Sequence, residues 1–334
     1  MFPYEITNID GNDGKELLEL FKGEKAGFVQ VGPKKWTLPA KYADHAEKYY
    51  TFDLKEDDVW IMTFPRSGTT WMQELVWLVC NKLDYETTSK IPLTERFPFF
   101  EVNCLMSDKI IKEIAELNNN DPDVVRELKN WNTPGYAYGQ SMKSPRYLKT
   151  HLPPSLMPPN LIDTCKVIYV ARNPFDVAVS FYHHNKLFKL HDYQGDFEKY
   201  WELFEKDLII FSPYWEHIKE GWEKRHHPNF LFLFYEDLVR DLPGNIRKIC
   251  TFLNKQMTED EIKRLADHLQ IDNFRKNMRY TTEIEMKGFV NPEGQGFVRR
   301  GKIGGNEEFD DDKIKLRAEK WFKENLAETD IVFP

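Results

Sequence analysis

The sequence predicts a single α/β domain, a central and mainly parallel sheet flanked by helices. Two observations carry that expectation. Four short apolar or β-rich runs punctuate the chain: Val59 to Phe64, Arg146 to Thr150, Lys166 to Ala171 and Phe230 to Tyr235. Helical patterns separate them, notably Thr69 to Leu83, Pro174 to Leu190 and Tyr200 to Lys224. Parallel strands are buried on both faces and so read as near-continuous apolar runs, and helices between them supply the crossovers. At 334 residues the length allows one large domain or two smaller ones. No repeat or long low-complexity linker divides the chain. The polar segment Asn103 to Ser144, with a loop at Asn118-Asn119-Asn120-Asp121-Pro122, is expected to carry helices outside the sheet.

Composition excludes several classes. The net charge of −8 argues against a general nucleic-acid binder, so any anion must be held by local arginines and lysines. Cys80, Cys104, Cys165 and Cys250 are far apart and form no C-x-x-C pair, which argues against a disulfide frame or a cysteine-based zinc site. Without H-E-x-x-H, the expectation is that no metal is needed. The N-terminus has neither the basic start nor the apolar core of a secretory signal, and no run approaches the ~18–20 apolar residues of a membrane span. The expected product is soluble and cytoplasmic.

In a parallel sheet the ligand lies beyond the carboxyl ends of the strands. At the ends of the four runs stand Arg66, His151, Arg172 and Tyr235. The first run leads through Pro65-Arg66-Ser67-Gly68-Thr69-Thr70-Trp71 into a long apolar helix. A strand turning tightly into a helix presents unpaired N–H groups, which attract phosphate. Arg66 adds a fixed charge, the hydroxyls add donors, and Trp71 is placed to stack on a purine. An ordinary helix cap explains S-G-T-T alone equally well. The Walker spacing is missing.

Arg172-Asn173-Pro174-Phe175-Asp176 starts another helix after a strand. Asn173 as cap, Pro174 in the first turn and Asp176 at the third position are explained structurally; Arg172 is not. Ser180 falls on the face of Asn173 two turns on, within reach of an anion held by Arg172, although a small packing residue is as good a reading. Lys149-Thr150-His151-Leu152-Pro153-Pro154 ends a third run, with a base and a cation aimed at one place. His183-His184 and His226-His227 read by default as packing residues. Arg299-Arg300-Gly301 lies in the glycine-rich stretch Lys287 to Asn306, suited to closing over a phosphate or equally to plain surface. The acidic run Glu307 to Asp312 reads as a solvated helix start.

P-R-S-G-T-T-W, K-T-H-L-P, A-R-N-P-x-D-V-A-V-S, L-F-Y-E-D and F-x-R-x-G stand in the order and spacing of the cytosolic sulfotransferases, which the chain resembles from about Phe28 onward. Stretches such as Gln73 to Trp77 look most like insect members, among them a retinol dehydratase with the same fold and donor. The resemblance implies 3′-phosphoadenosine 5′-phosphosulfate (PAPS) as donor and an N-terminal extension over 1–27. It puts the 5′-phosphosulfate in the loop Arg66, Ser67, Gly68, Thr69, Thr70 and Trp71, with Trp71 and Tyr235 beside the adenine. Arg172 and Ser180 fall at the 3′-phosphate, with Arg299, Arg300 and Gly301 of a cofactor-closing loop over 287–306. It implies His151 as catalytic base, with Lys149 and Arg66 stabilising the transferring group.

Four departures accompany the resemblance. Arg66 stands where the family usually has lysine. Leu269, Gln270 and Ile271 replace a hydroxyl–hydroxyl–aromatic contact. Gly304-Gly305-Asn306 replaces glycine–aspartate–tryptophan. The dimer motif is not recognisable, which leaves monomer and homodimer open. The acceptor implied is a small lipophilic molecule with a hydroxyl or amine. Its candidate walls are Phe97, Phe99 and Phe100 with Phe181, Tyr182 and His183, any one of which can equally be core. The competing readings are a dehydratase acting through a transient sulfate ester, a P-loop kinase, and a non-catalytic nucleotide binder.

Overall fold

A computed structural model describes residues 1–279, 286–292, 296, 297, 301, 303, 304 and 307–334. Three short strands open the chain, β1 (Ile6–Asn8), β2 (Phe28–Val31) and β3 (Trp36–Pro39), paired antiparallel in that order. Next come β4 (Val59–Thr63), β5 (Tyr147–Thr150), β6 (Lys166–Ala171) and β7 (Phe230–Phe234). These four form a wholly parallel sheet in the order β5-β4-β6-β7. The expected strands are therefore present, each within a residue or so of its predicted limits. The polar segment carries the Asp108–Leu117, Pro122–Asn132 and Gly135–Ser141 helices, away from the sheet as expected.

The strands alternate between two cores, as the two-residue repeat of a strand requires. Trp60, Met62, Leu148, Val167 and Tyr169 face one cluster. Val59, Ile61, Tyr147, Ile168 and Val170 face the other. At the amino ends, Arg146 grips Asp58 with two bonds of 2.7 and 2.5 Å, both side chains being almost wholly buried. That pair ties the entry of β5 to the entry of β4. Removing one partner would strand a buried charge, at a cost of roughly 3–5 kcal/mol. Met62 is paired with both Thr150 and Tyr169, so the tips of β4, β5 and β6 end at one level.

The helices differ more from expectation. The run Tyr200 to Lys224 is two helices, Phe197–Glu205 and Tyr214–Glu223. Asp207 and Phe211 take positive φ between them, and Phe211 and Ser212 pair through their backbones with Thr37 of β3. The helix after β4 stops at Cys80, where Lys82 and Leu83 turn left-handed. That after β6 stops at Leu187, and Phe188 is already extended. Asn173 caps that helix by accepting from the Phe175 N–H, and Pro174 opens it. The acidic run leads into the Asp312–Leu326 helix, capped by Asp311.

Candidate active site

The tips of β4, β5 and β6 open into a cavity of about 260 Å³. Its wall includes Arg66, Gly68, Thr69, Thr70, Trp71, Lys149, His151, Arg172, Ser180, Tyr235 and Gly301. Residues more than a hundred positions apart in sequence are in direct contact there. Arg66 Nε donates to Ser180 Oγ at 3.1 Å, and Arg172 Nη1 donates to the carbonyl of Arg66 at 3.1 Å.

The loop after β4 is shaped for an anion. Gly68 has φ +96, and a Cβ there would stand 2.6 Å from the Tyr235 ring. Only glycine allows that turn and that approach together. No side chain caps the Thr69–Cys80 helix that Gly68 starts. Its first N–H groups have no carbonyl a turn earlier, and they carry the positive end of the helix dipole. The buried hydroxyl of Ser67 finds no partner among the described residues. Arg66 itself has φ 69, and besides Ser180 its guanidinium reaches the Phe297 carbonyl at 3.0 Å. An orphaned donor, an uncapped helix start and two guanidinium groups fit an anionic group.

A flat aromatic slot adjoins the loop. Trp71 Nε1 donates to the Leu269 carbonyl at 2.9 Å, which fixes the indole, and its ring lies edge-on to Tyr235 at 5.9 Å. Leu269, Gln270 and Ile271 line the same slot, Leu269 contributing through its backbone. Arg172 stacks on the Tyr235 ring, 4.3 Å from its centre, and pairs with Asp176 at 3.7 Å. Asp176 also accepts from the Gly304 N–H, while Gly301 (φ +62) sits against Ile271. The glycine-rich stretch thus touches this end of the cavity. Arg299 and Arg300 lie outside the described residues.

His151 sits between the two ends. Its Nδ1 is 2.9 Å from the Thr63 carbonyl, which can only accept, so Nδ1 carries the proton and Nε2 carries the lone pair. Burial first, then the adjacent Lys149 charge, hold its protonation well below the usual histidine range. Thr63 Oγ1 touches both His151 Nδ1 (3.1 Å) and Thr69 Oγ1 (2.7 Å), linking the imidazole to the loop after β4. The backbone of His151 is held on both sides. Its N–H donates to Glu101 at 2.6 Å, and its carbonyl accepts from His217 Nε2 at 3.0 Å. Glu101 also accepts from Thr150 Oγ1 at 2.8 Å; burial pushes its carboxyl up to about 7. Lys149 lies over the Phe99 ring at 4.1 Å, and burial lowers it to about 8.

Of the proposed acceptor walls, Phe99 and Phe181 line the cavity. Phe97, Phe100, Tyr182 and His183 do not. Residues 98–100 pair backbone-to-backbone with Lys149, so Phe99 and Phe100 point to opposite sides. Phe100 packs on Trp60, Phe52 and Tyr49, and Phe97 on Tyr147, all in the core. Tyr182 turns into a cluster with Tyr193, Phe197 and Tyr200, and His183 bonds Glu308 at 2.5 Å. The helical repeat puts His184 and Phe188 in line with Ser180, and these do face the cavity. His184, read as packing, is corrected to a wall residue. Glu101, Thr63, Trp131 and Phe211 carried no sequence signal; His184 and Phe188 carried one in their spacing of four and eight residues from Ser180.

A parallel sheet whose strand tips gather a helix start, two guanidinium groups, an imidazole and a buried lysine fits a group-transfer enzyme. The sulfotransferase domain model matches residues 56–330, and the chain belongs to that family. It is 31% identical to luciferin sulfotransferase of Photinus pyralis across 95% of this chain and 84% of that protein. It is 33% identical to sulfotransferase 1 family member D1 of Rattus norvegicus, across 92% and 97%. Two solved structures of retinol dehydratase superpose with TM-score 0.92 at 36% identity, covering 100% of this chain and 99% of theirs. One holds androsterone with the inactive cofactor PAP, the other retinol with PAP.

Proposed function

We propose that this chain transfers a sulfuryl group from PAPS to a hydroxyl, or an amine, of a small lipophilic acceptor. The single observation that carries this reading is the 2.9 Å contact of cavity-lining His151, through Nδ1, with the Thr63 carbonyl, which keeps the proton on Nδ1 and leaves Nε2 to accept. Retinol dehydratase, crystallised with PAP, supports the choice of nucleotide. The residues fit it: the 66–71 loop would hold the 5′ end, Trp71 and Tyr235 the base, and Arg172 with Ser180 the 3′-phosphate. When bound, the donor supplies an electrophilic sulfur and a leaving phosphate.

His151 Nε2 removes the acceptor proton as the acceptor oxygen bonds to sulfur, and the proton stays on the imidazole. Positioned bases contribute about 10²–10⁴-fold. Lys149 and Arg66 offset the negative charge that grows on the departing oxygen, where one preorganised donor is typically worth ~10²–10³ in rate. Arg66 acts there as a fixed charge rather than a proton donor, because a guanidinium does not give up its proton. Phe99, Phe181, Phe188 and Phe211 keep water away from the acceptor side.

Incubation with ³⁵S-labelled donor and a panel of phenols, steroid alcohols and retinol tests this. Label should pass to at least one acceptor class. Donor binding without transfer to any would refute it. The likeness to retinol dehydratase over the full chain favours one second reading: with retinol, the sulfate ester would be transient and an elimination product would accumulate, which chromatography separates from the ester.

A further inference from the structure

The acceptor end of the cavity is not purely apolar. His184 lies one helical turn beyond Ser180, and His191 lies beyond the end of the same helix, their rings 5.5 Å apart. Both line the cavity. Around His184 stand Phe181 at 5.9 Å, Phe188 at 4.6 Å and Phe297 at 6.2 Å. Its Nδ1 is buried and makes no hydrogen bond of normal geometry to a described residue, with the Asn185 side chain as its nearest polar neighbour. The two nitrogens are one donor and one acceptor in the neutral ring, and burial keeps it neutral by holding its protonation well below the usual range.

His191 is anchored differently. Its Nδ1 meets Glu24 Oε1 at 3.2 Å, both side chains buried. Burial takes His191 down to about 3 and raises Glu24 well above a normal carboxyl. That leaves Nε2 as the remaining polar atom of His191. Buried imidazoles in an aromatic wall are costly unless something satisfies them.

We propose that the preferred acceptor is bifunctional: a lipophilic alcohol or phenol with a second hydrogen-bonding oxygen that His184, seconded by His191, takes at the cavity wall formed where the Ser180 helix ends. This rests on the sulfuryl-transfer reading of the site. A neutral imidazole accepts from a hydroxyl or donates to a carbonyl, so diols, hydroxyketones and hydroxyphenols qualify. The sign of the effect is diagnostic. In a purely apolar pocket an added hydroxyl is desolvated for nothing and weakens binding. In a pocket built to bond it, the analogue lacking the hydroxyl is the one rejected.

The test pairs 4-alkylphenols with 4-(ω-hydroxyalkyl)phenols of increasing chain length. The readouts are kcat/KM for labelled transfer and calorimetric binding to the PAP complex. At one chain length the hydroxylated member should lead by about 10-fold or more, chiefly through KM. In His184→Phe that ratio should fall to about one or below, and His184→Gln should restore part of it. His184→Leu replaces the phenylalanine variant if the latter shows no PAP-induced thermal shift. Alkylphenols favoured at every length in the wild type, or a ratio unchanged in the variant, would overturn the proposal. Binding preference without label transfer would instead sustain the subsite and refute the transfer chemistry.

Discussion

The two ends of the cavity are built from different materials. The end proposed for the nucleotide leans on backbone geometry, with the N–H groups of a helix start, a left-handed glycine and the Leu269 carbonyl that holds Trp71, and adds to it the Arg66 and Arg172 guanidinium groups. The acceptor end is almost all side chain, with Phe99, Phe181, Phe188 and Phe211 around two imidazoles. Backbone geometry tolerates few sequences, whereas a wall of side chains can be exchanged residue by residue. A family built this way can hold one donor and vary its acceptor. His151 sits at the seam, tied to the anion loop through Thr63 and ring-packed on Phe99 and Phe211.

The seam should give the largest effect. His151→Ala is expected to lower kcat by about 10²–10⁴ while calorimetry finds PAP affinity within a few-fold of wild type. Equal turnover in the variant would remove the imidazole from the chemistry. Next comes the nucleotide end. Gly68→Ala puts a methyl against Tyr235 and forces alanine to φ +96. Strain of about 1–3 kcal/mol should weaken PAP binding by about 5- to 100-fold. Unchanged PAP affinity would show that this turn is not part of the nucleotide site.

Glu101→Gln probes the support of the seam. Glutamine keeps one acceptor oxygen for the His151 N–H and turns its N–H₂ toward Thr150 Oγ1, which must then accept instead of donate, so weaker neutral bonds replace those to a carboxylate. A small misplacement of the base costs rate rather than binding. The expected outcome is kcat down by roughly 10-fold with acceptor KM and PAP affinity little changed. A rise in KM at constant kcat would instead place Glu101 in acceptor binding.

Legibility in the sequence divides along the same line. Arg66, His151, Arg172 and Tyr235 were legible because a parallel sheet sends every strand tip to one edge, so position after an apolar run implies a shared site. The acceptor wall was not. Phe97, Phe99 and Phe100 are chemically alike and adjacent; only backbone pairing with Lys149 decides that Phe99 alone faces the cavity. His183 and His184 differ by about 100° of helix turn; the sequence reading names the first, and only the four-residue spacing from Ser180, unused there, separates them. Glu101 is a lone carboxylate in an aromatic stretch, and nothing local distinguishes it from a surface acid. The break at 206–213 depended on pairing with β3, a contact about 170 residues distant.

The smallest effect concerns the charge beside the base. Lys149 titrates at about 8 because burial penalises its ammonium, with Arg66 adding to the shift and Glu101 opposing it. The ammonium is therefore present below about 8 and lost as pH rises through that value. His151 must be neutral to act, and its depressed value keeps it neutral down past the usual histidine range. The profile of kcat/KM, which reports the free enzyme, should reach its plateau above the Glu101 titration at about 7 and fall above about 8, with the His151 limb below pH 6.5. Lys149→Arg keeps the charge at all accessible pH, so its basic limb should disappear even if the plateau is lower. A basic limb unmoved in that variant would assign the titration to another group and leave Lys149 as packing for Phe99. The nucleotide end would then supply all of the catalytic charge, through Arg66, Arg172 and the helix start.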